Sequence, residues 1–177
     1  MSSVYSDPLP AASVARHTLA VIVDNEPGVL ARISGLFSGR GYNIESLTVS
    51  ETEHEKHISR ITIVTTGTDA EIEQIKAQLA RLVPVHRVRD LSEEGPTLER
   101  ELVLLKVVGQ GDHRVEALRL AQAFGARTVD ATLASFVFEF TGTSEEVERF
   151  VALMAECGLV EVSRTGVAAM SRGAEAM

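Results

Sequence analysis

Two short segments carry the residue types that could recognise a small charged molecule. In the first, an apolar stretch ends at Asp24 and is followed by Asn25, Glu26, Pro27 and Gly28. We predict that a strand meets the first turn of a helix here, where backbone N–H groups lack helical partners and the helix dipole adds partial positive charge. A carboxylate is stabilised at such a helix end. The segment therefore predicts a carboxylate subsite that is built from backbone groups.

The second segment, residues 40–47, follows one helix later and returns the chain to a neighbouring strand. Gly41 is a natural left-handed helix stop, and Asn43 then places an amide side chain beside the apolar Ile44. We expect both segments to lie at one end of one sheet. Together they predict a pocket for a free amino acid, with no obvious group to do chemistry on it.

The first segment also has a purely structural interpretation, in which Asn25 or Glu26 caps the helix and Pro27 occupies its first position. Gly28 favours a ligand, because glycine is disfavoured in a helix by roughly 1 kcal/mol relative to alanine. The second segment has a similar alternative, a helix C-cap followed by a strand. The pairing of the two segments is what favours a pocket.

A charged turn holds the residues that most resemble metal ligands. His54 and His57 lie there with Glu51, Glu53 and Glu55. Exposed, flexible ligands are poorly preorganised for a metal ion, so we interpret this turn as a solvated hairpin tip.

The remaining candidates for catalysis are scattered along the chain. Cys157 follows Met154 on an apolar face and is interpreted as a core residue, while His17, His86 and His113 belong to different elements. No nucleophile elbow, phosphate-binding loop or metalloprotease helix is present. The sequence therefore predicts no catalytic residues and no metal site on this chain.

Composition narrows the classes of partner and compartment. The net charge of −8 disfavours nucleic-acid binding, which needs clustered Lys and Arg. A single cysteine excludes an internal disulfide and is typical of a reducing compartment. No apolar segment reaches a membrane-spanning length, and residues 1–15 resemble a flexible tail rather than a signal peptide. We expect a cytoplasmic protein.

Hydrophobic periodicity predicts the element order βαββαβ twice. The first half has predicted strands at 17–24, 42–51, 58–66 and 84–90, with helices at 27–39 and after a capping box of Thr68 and Glu71. The second half has predicted strands at 99–108, 127–132, 135–140 and 160–163. It also has a predicted helix that carries Val115, Leu118 and Gln122 and reaches Phe124, and a helix after a capping box of Thr143 and Glu146.

We therefore predict an α+β protein of two ferredoxin-like βαββαβ sandwiches, over 16–92 and 97–173, joined by a polar linker. Helices on one face of each small sheet would leave a bare face and open edges. Such surfaces invite pairing with a second copy, so we expect a homodimer formed side by side through the first half.

The chain resembles a known family, the regulatory small subunit of acetolactate synthase, also called acetohydroxyacid synthase. The resemblance spans roughly residues 17–173 and rests on these segments: Asp24-Asn-Glu-Pro-Gly-Val-Leu30, Arg32-Ile-Ser-Gly-Leu-Phe-Ser-Gly-Arg-Gly-Tyr-Asn-Ile-Glu-Ser-Leu-Thr-Val-Ser50, Ser59-Arg60-Ile-Thr-Ile63, Glu161-Val-Ser-Arg-Thr-Gly166 and Ser171-Arg-Gly173.

The resemblance implies that the first sandwich is an ACT domain that binds an amino-acid effector. It also implies a separate catalytic (large) subunit that uses thiamine diphosphate, a magnesium ion and FAD, so that no cofactor belongs to this chain. The small subunit of this family raises activity and confers feedback inhibition, usually by valine. Transferred position by position, the effector site comprises Asn25, Gly28, Val29 and Leu30 of one subunit, and Asn43 and Ile44 of the other.

The residues also have to be compared with what other classes of protein would need. An RNA-binding sandwich would need basic character and aromatic residues on its sheet, and a self-sufficient enzyme would need convergent titratable groups. An ACT-domain sensor that serves a different metabolic enzyme is the nearest alternative.

Overall fold

The polypeptide folds as two halves that repeat one order of strands and helices. The computed structural model describes residues 13–93 and 95–177. The first half contains β1 (Val14–Asp24), α1 (Val29–Ser38), β2 (Ser46–Glu53), a 3-10 turn (His54–Lys56), β3 (Ile58–Thr68), α2 (Asp69–Leu79) and β4 (Val85–Asp90). The second half contains β5 (Thr97–Val108), α3 (Asp112–Phe124), β6 (Arg127–Ala131), β7 (Ser135–Gly142), α4 (Ser144–Ala155), β8 (Leu159–Arg164) and β9 (Ala168–Ser171).

Both sheets are antiparallel and have the same strand order. The first runs β2-β3-β1-β4 and the second β6-β7-β5-β8, with β9 added beside β5. This repeated order confirms the prediction of two ferredoxin-like βαββαβ sandwiches. Most of the predicted N-terminal tail, 1–12, lies outside the described residues, and β1 begins at Val14 rather than at residue 17.

The first core lies between one face of the first sheet and its two helices. Alternate residues of β1 and β3 point into it, as expected for strands that face helices on one side. Both helices bury one stripe, with α1 contributing Val29, Ile33 and Phe37 and α2 contributing Ile72, Ile75 and Leu79. The three residues of each set recur at spacings of three or four, which place them on one face of a helix.

Two capping boxes begin α2 and α4 as the sequence predicts. The Thr68 hydroxyl accepts the N–H of Glu71, and the Glu71 carboxylate accepts the N–H of Thr68 at 2.8 Å. Thr143 and Glu146 form the same reciprocal pair. Each box satisfies two backbone donors that a bare helix end would leave unpaired.

The helix predicted around Val115, Leu118 and Gln122 is present as α3, but these three residues do not face the core. Gln122 is exposed, and Val115 and Leu118 are 58% and 41% exposed, whereas Ala117 and Ala121 are buried. The second core is filled by large aromatic side chains from β7 and α4, namely Phe136, Phe138, Phe140 and Phe150. Small side chains on α3 let the helix lie close to this core, so the larger apolar residues turn outward.

The expectation of a bare sheet face is wrong for the first sheet. Its face opposite the helices contributes Ala20 and Val64 to a third apolar cluster, which also contains Val167 and Ala169 of the second half. The strand β9, which the sequence did not predict, pairs with the start of β5 and helps to cover this face. The two halves therefore share a packed contact.

Hydrogen bonds from β2 and β3 help to fix that contact. The Ser46 hydroxyl accepts a hydrogen bond from the N–H of Val167 at 2.9 Å, and the Arg60 guanidinium donates to the carbonyl of Ala169 at 2.6 Å.

None of the described helices is both long and apolar enough to cross a membrane.

Candidate functional site

The predicted carboxylate subsite is an uncapped helix start, here called the Gly28 turn (residues 25–28). Gly28 has φ +88° and ψ −6°, so α1 begins at Val29 rather than at Pro27. No side chain caps this helix, and its first turn contains no acidic residue. The Glu26 carboxylate instead pairs with Arg32 at 2.8 Å. The structural alternative, in which Asn25 or Glu26 caps the helix, is therefore not what the protein uses.

The conformation of the Gly28 turn explains why residue 28 is a glycine. A positive φ is costly for most residues with a Cβ atom. A Cβ atom at Gly28 would meet no heavy atom within 4 Å. The space beside the turn is open, and a small molecule can approach the backbone there.

The second segment forms a loop, here called the Asn43 loop (residues 40–45), because β2 begins only at Ser46. Tyr42 anchors it, with its ring 6.3 Å from that of Phe37 and its hydroxyl 2.9 Å from the Gln74 side-chain oxygen. The carbonyl of Asn43 accepts the Thr65 hydroxyl at 2.6 Å. These contacts fix the backbone of the loop, and Asn43 is nevertheless exposed to solvent.

The six predicted effector residues differ in exposure. Asn25, Gly28, Leu30 and Asn43 are exposed, Ile44 is half-buried against the first core, and the side chain of Val29 lies within that core. Val29 can therefore contribute through its backbone only. Cavities of 240 to 520 Å³ lie elsewhere among the described residues, and none of the six belongs to the linings of these cavities.

The tip of the β2–β3 hairpin, residues 51–57, packs against the Gly28 turn. The N–H of Asn25 donates to the carbonyl of His57 at 2.6 Å. His54 Nδ1 lies 2.8 Å from Glu51 Oε2, and His57 Nδ1 lies 3.8 Å from Glu51 Oε1.

Charge at the hairpin tip centres on Glu51. The hydrogen bond with His54 holds the pKa of Glu51 below its ordinary value. The same carboxylate raises the pKa of His54. The side chains of His54 and His57 are 89% and 77% exposed, as predicted for a solvated tip. The contact between the hairpin tip and the Gly28 turn, through Asn25 and His57, is one that the sequence does not predict.

A second unpredicted contact joins His17 to the end of β4. His17 Nδ1 lies 2.7 Å from Asp90 Oδ2, and both residues are buried. With Glu93 they form a cluster, among the described residues, that could hold a metal ion. Asp90 already accepts the N–H of Ser92, however, and the Lys76 ammonium lies 3.3 Å from Glu93. The chain itself thus pairs both carboxylates.

Cys157 is buried in the second core, as predicted. Burial raises the pKa of its thiol, which disfavours the reactive thiolate.

Comparison with known proteins assigns both halves to one family. Residues 19–87 match the profile of the AHAS small subunit-like ACT domain, and residues 100–173 match that of the small subunit of acetolactate synthase. A probable acetolactate synthase small subunit of Archaeoglobus fulgidus is 46% identical over 158 residues, which cover 89% of this chain and 98% of the relative. The acetolactate synthase isozyme 3 small subunit of Escherichia coli is 42% identical, with 92% and 99% covered.

A solved structure agrees with the sequence relatives. The crystal structure of the acetolactate synthase small subunit from Thermotoga maritima superposes with a TM-score of 0.83 at 34% identity, covering 91% of this chain and 99% of that one. Profile, sequence and fold agree along nearly the whole chain. The chain therefore belongs to the family of acetolactate synthase small subunits.

Proposed function

We propose that this chain is the regulatory subunit of an acetolactate synthase and that it binds a free branched-chain amino acid, valine first of all. Membership of the small-subunit family supports the regulatory role. The observation that carries the effector proposal is the uncapped helix start at Gly28, with open space beside it.

The exposed groups of the two loops complement a zwitterion. The effector carboxylate meets backbone N–H groups around Gly28 and Val29, where the helix dipole favours negative charge. Side-chain oxygens of Asn25 and Asn43 accept hydrogen bonds from the ammonium group. The isopropyl group of valine rests against Leu30 and Ile44.

Two copies of the chain complete this site, one supplying the Gly28 turn and the other the Asn43 loop. The edge position of β2 in the first sheet supports a side-by-side homodimer, since β2 residues from Val49 onward are exposed. A ligand held across the dimer seam favours one arrangement of the two subunits over another.

Selectivity among apolar effectors is expected to be modest. A missing or additional methyl group changes binding in an apolar pocket by about 1–3 kcal/mol. Leucine and isoleucine therefore bind measurably, and alanine binds more weakly than valine.

The catalytic chemistry belongs to the partner, the large subunit. We propose that this subunit carries thiamine diphosphate, Mg²⁺ and FAD and condenses two pyruvates, or pyruvate with 2-oxobutyrate. Feedback inhibition requires a coupling of about 1–3 kcal/mol between the effector site and the surface that grips the partner. The hydrogen bond from Val167 to Ser46 supports a route through the second half, because Ser46 follows Ile44 by two residues.

A pair of substitutions at Gly28 tests the effector site. Asp and Asn both tolerate a left-handed backbone better than most residues and have similar size. Gly28→Asp places a carboxylate where the carboxylate of valine binds, so we expect the reconstituted complex to lose valine inhibition. Gly28→Asn, the matched neutral control, retains more of it.

The measurement is acetolactate formation against valine concentration, with co-elution of the two subunits confirming assembly. Valine inhibition that is equal in the wild type and Gly28→Asp would contradict the placement of the carboxylate.

A further inference from the structure

We propose that a cavity of 390 Å³ between the two halves binds a small organic anion, a monocarboxylate with a branched aliphatic chain. This cavity, here called the β2–β9 cavity, is lined from residues 48–52 of β2 and 60–62 of β3 in the first half, and from residues 98–100 of β5 and 168–170 of β9 in the second. None of the six proposed effector residues belongs to its lining. The inference therefore goes beyond the proposed function and does not depend on it.

Strand register builds the polar wall of the β2–β9 cavity from the first half. In the antiparallel β2–β3 pair, Thr48 lies opposite Thr62, and Ser50 lies opposite Arg60. Alternate residues of a strand point to the same face, and Ile61, between Arg60 and Thr62, belongs to the first core. These four polar side chains therefore share the face of the first sheet that lies opposite its helices.

The second half supplies the apolar wall through β9, which pairs with the start of β5. The apolar residues of this wall are Leu98, Ala168, Ala169 and Met170. The Arg60 guanidinium donates to the carbonyl of Ala169 at 2.6 Å and so holds this wall against the first half. A ligand between the walls contacts both halves at once.

The charged side chains of the lining are both arginines, Arg60 and Arg100. Arg60 donates to the carbonyl of Ala169, and Arg100 donates to the carbonyl of Glu99 at 2.7 Å. A carbonyl oxygen accepts a hydrogen bond without neutralising the charge, and no described carboxylate forms an ion pair with either arginine. Since a guanidinium has five N–H donors, both arginines retain donors for a carboxylate.

Arg60 is the more buried of the two arginines, and its surroundings disfavour its charge. Burial lowers the pKa of its guanidinium, and repulsion by Arg89 lowers it further. Glu53 and Glu175 line the adjoining cavity of 520 Å³, which shares Arg60, but neither carboxylate pairs with Arg60. A ligand carboxylate beside Arg60 would supply the negative charge that the described residues do not.

The lining also indicates which carboxylates the cavity prefers. Hydroxyl groups complete its polar wall, and they belong to Thr48, Ser50, Thr52 and Thr62. An ammonium group here would lie near two positive charges and without a negative partner. We therefore expect the cavity to prefer an aliphatic acid to the corresponding amino acid, with the aliphatic chain against the apolar wall. The volume lies within the range of about 300–1,000 Å³ that is typical of ligand pockets.

The test is calorimetric titration of the full-length chain with isocaproate, a branched monocarboxylate without an amino group. We expect the neutral isocaproamide to bind about tenfold more weakly than the acid, because charge-assisted hydrogen bonds are lost. Arg60→Gln removes the opposite charge and should raise the dissociation constant for isocaproate about tenfold. Arg100→Gln, at an exposed position, should raise it about threefold.

Two control variants separate this cavity from other sites. Arg119→Gln makes the same chemical change at an exposed arginine of α3 that pairs with Glu116 at 3.0 Å. Gly28→Asp alters the proposed effector site instead. Both should leave the dissociation constant for isocaproate within about twofold of the wild type, because distant sites act independently.

The remaining outcomes overturn the proposal. These are no heat from the wild type with isocaproate, equal affinity for isocaproate and isocaproamide, and unchanged affinity in the arginine variants. Loss of isocaproate binding in Gly28→Asp would place the acid at the effector site and also overturn it. Because Arg100 is exposed, Arg100→Gln keeps the test decisive if Arg60→Gln does not fold.

Discussion

At the residue scale, Glu101 and Arg164 form an ion pair in which a buried carboxylate meets a partly exposed guanidinium. The guanidinium donates two hydrogen bonds of 2.7 Å to the two carboxylate oxygens. Glu101 is 4% exposed, and the bidentate contact raises the pKa of Arg164. The pair joins β5 to β8 at the edge of the 410 Å³ cavity between the halves.

Removal of the arginine alone should be costly, because it leaves a buried carboxylate without its partner. We expect Arg164→Ala to lower the free energy of unfolding by about 2–3 kcal/mol, a value reduced from that of a fully buried pair because Arg164 is partly exposed. Lys106→Ala breaks the exposed pair with Glu161 on the same two strands and should cost less than about 1 kcal/mol. Urea denaturation measures both, and equal losses would contradict this view of the buried carboxylate.

At the element scale, the helix starts differ in how they satisfy their first N–H groups. The capping boxes at α2 and α4 use a threonine and a glutamate each, whereas α1 follows Gly28 without a side-chain cap. A capped helix end has its donors occupied, and an uncapped one can offer them to a ligand. α3, which follows Gly111, also lacks a side-chain cap, so an uncapped start by itself does not single out α1 as the helix that would meet an effector.

The capping box of α4 predicts a dependence of stability on pH. Hydrogen bonds from the backbone and then the side chain of Thr143 lower the pKa of Glu146. The unfolded state therefore binds a proton more readily than the folded state in acid. The stabilisation is fully present above the ordinary carboxyl pKa, and it is lost as pH falls through the lowered value.

The variant Glu146→Gln keeps a capping side chain but removes the titration. We expect its melting temperature to lie below that of the wild type at pH 7 and to converge with it in the acid range. Thermal melts at a series of pH values measure this difference. A gap that stays constant from neutral pH down to the end of the carboxyl titration would contradict it.

At the scale of the whole molecule, the two halves lie in close contact where the chain at Gly166 meets β2. The effector signal of the proposed function would have to cross this contact to reach the second half. Gly166 has φ +81°, and a Cβ atom there would lie 2.8 Å from Ser46 Oγ and 2.9 Å from Thr48 Oγ1. The glycine thus lets the chain lie directly against β2, next to the hydrogen bond from Val167 to Ser46.

A side chain at this position should separate the halves. We expect Gly166→Ala to lower the free energy of unfolding by about 1–3 kcal/mol, through backbone strain and the loss of close contact. It should also weaken valine inhibition more than valine binding, because the contact lies between the effector loops and the second half.

The matched control for this substitution is Gly35→Ala, in α1, where a Cβ atom meets nothing within 4 Å. Alanine is the better helix former, so this change is expected to stabilise the protein by up to about 1 kcal/mol. Denaturation and calorimetry compare the two variants, and a stabilising Gly166→Ala would contradict the close approach to β2.

The amino-acid sequence determined the features that depend on neighbours along the chain. Both capping boxes, the stripes of α1 and α2, the repeated βαββαβ order and the glycine at the start of α1 follow from local spacing, since residues three or four apart share one face of a helix. The similarity to the small-subunit family was also readable from short segments such as Asp24–Leu30.

Tertiary structure alone decided the contacts between residues distant in the chain. The buried face of α3 depends on phenylalanines of β7 and α4, and β9 forms only against β5. The contact between the hairpin tip and the Gly28 turn depends on the register of three strands. Local propensity contains no information about these contacts, because packing and register are settled only when separate elements meet.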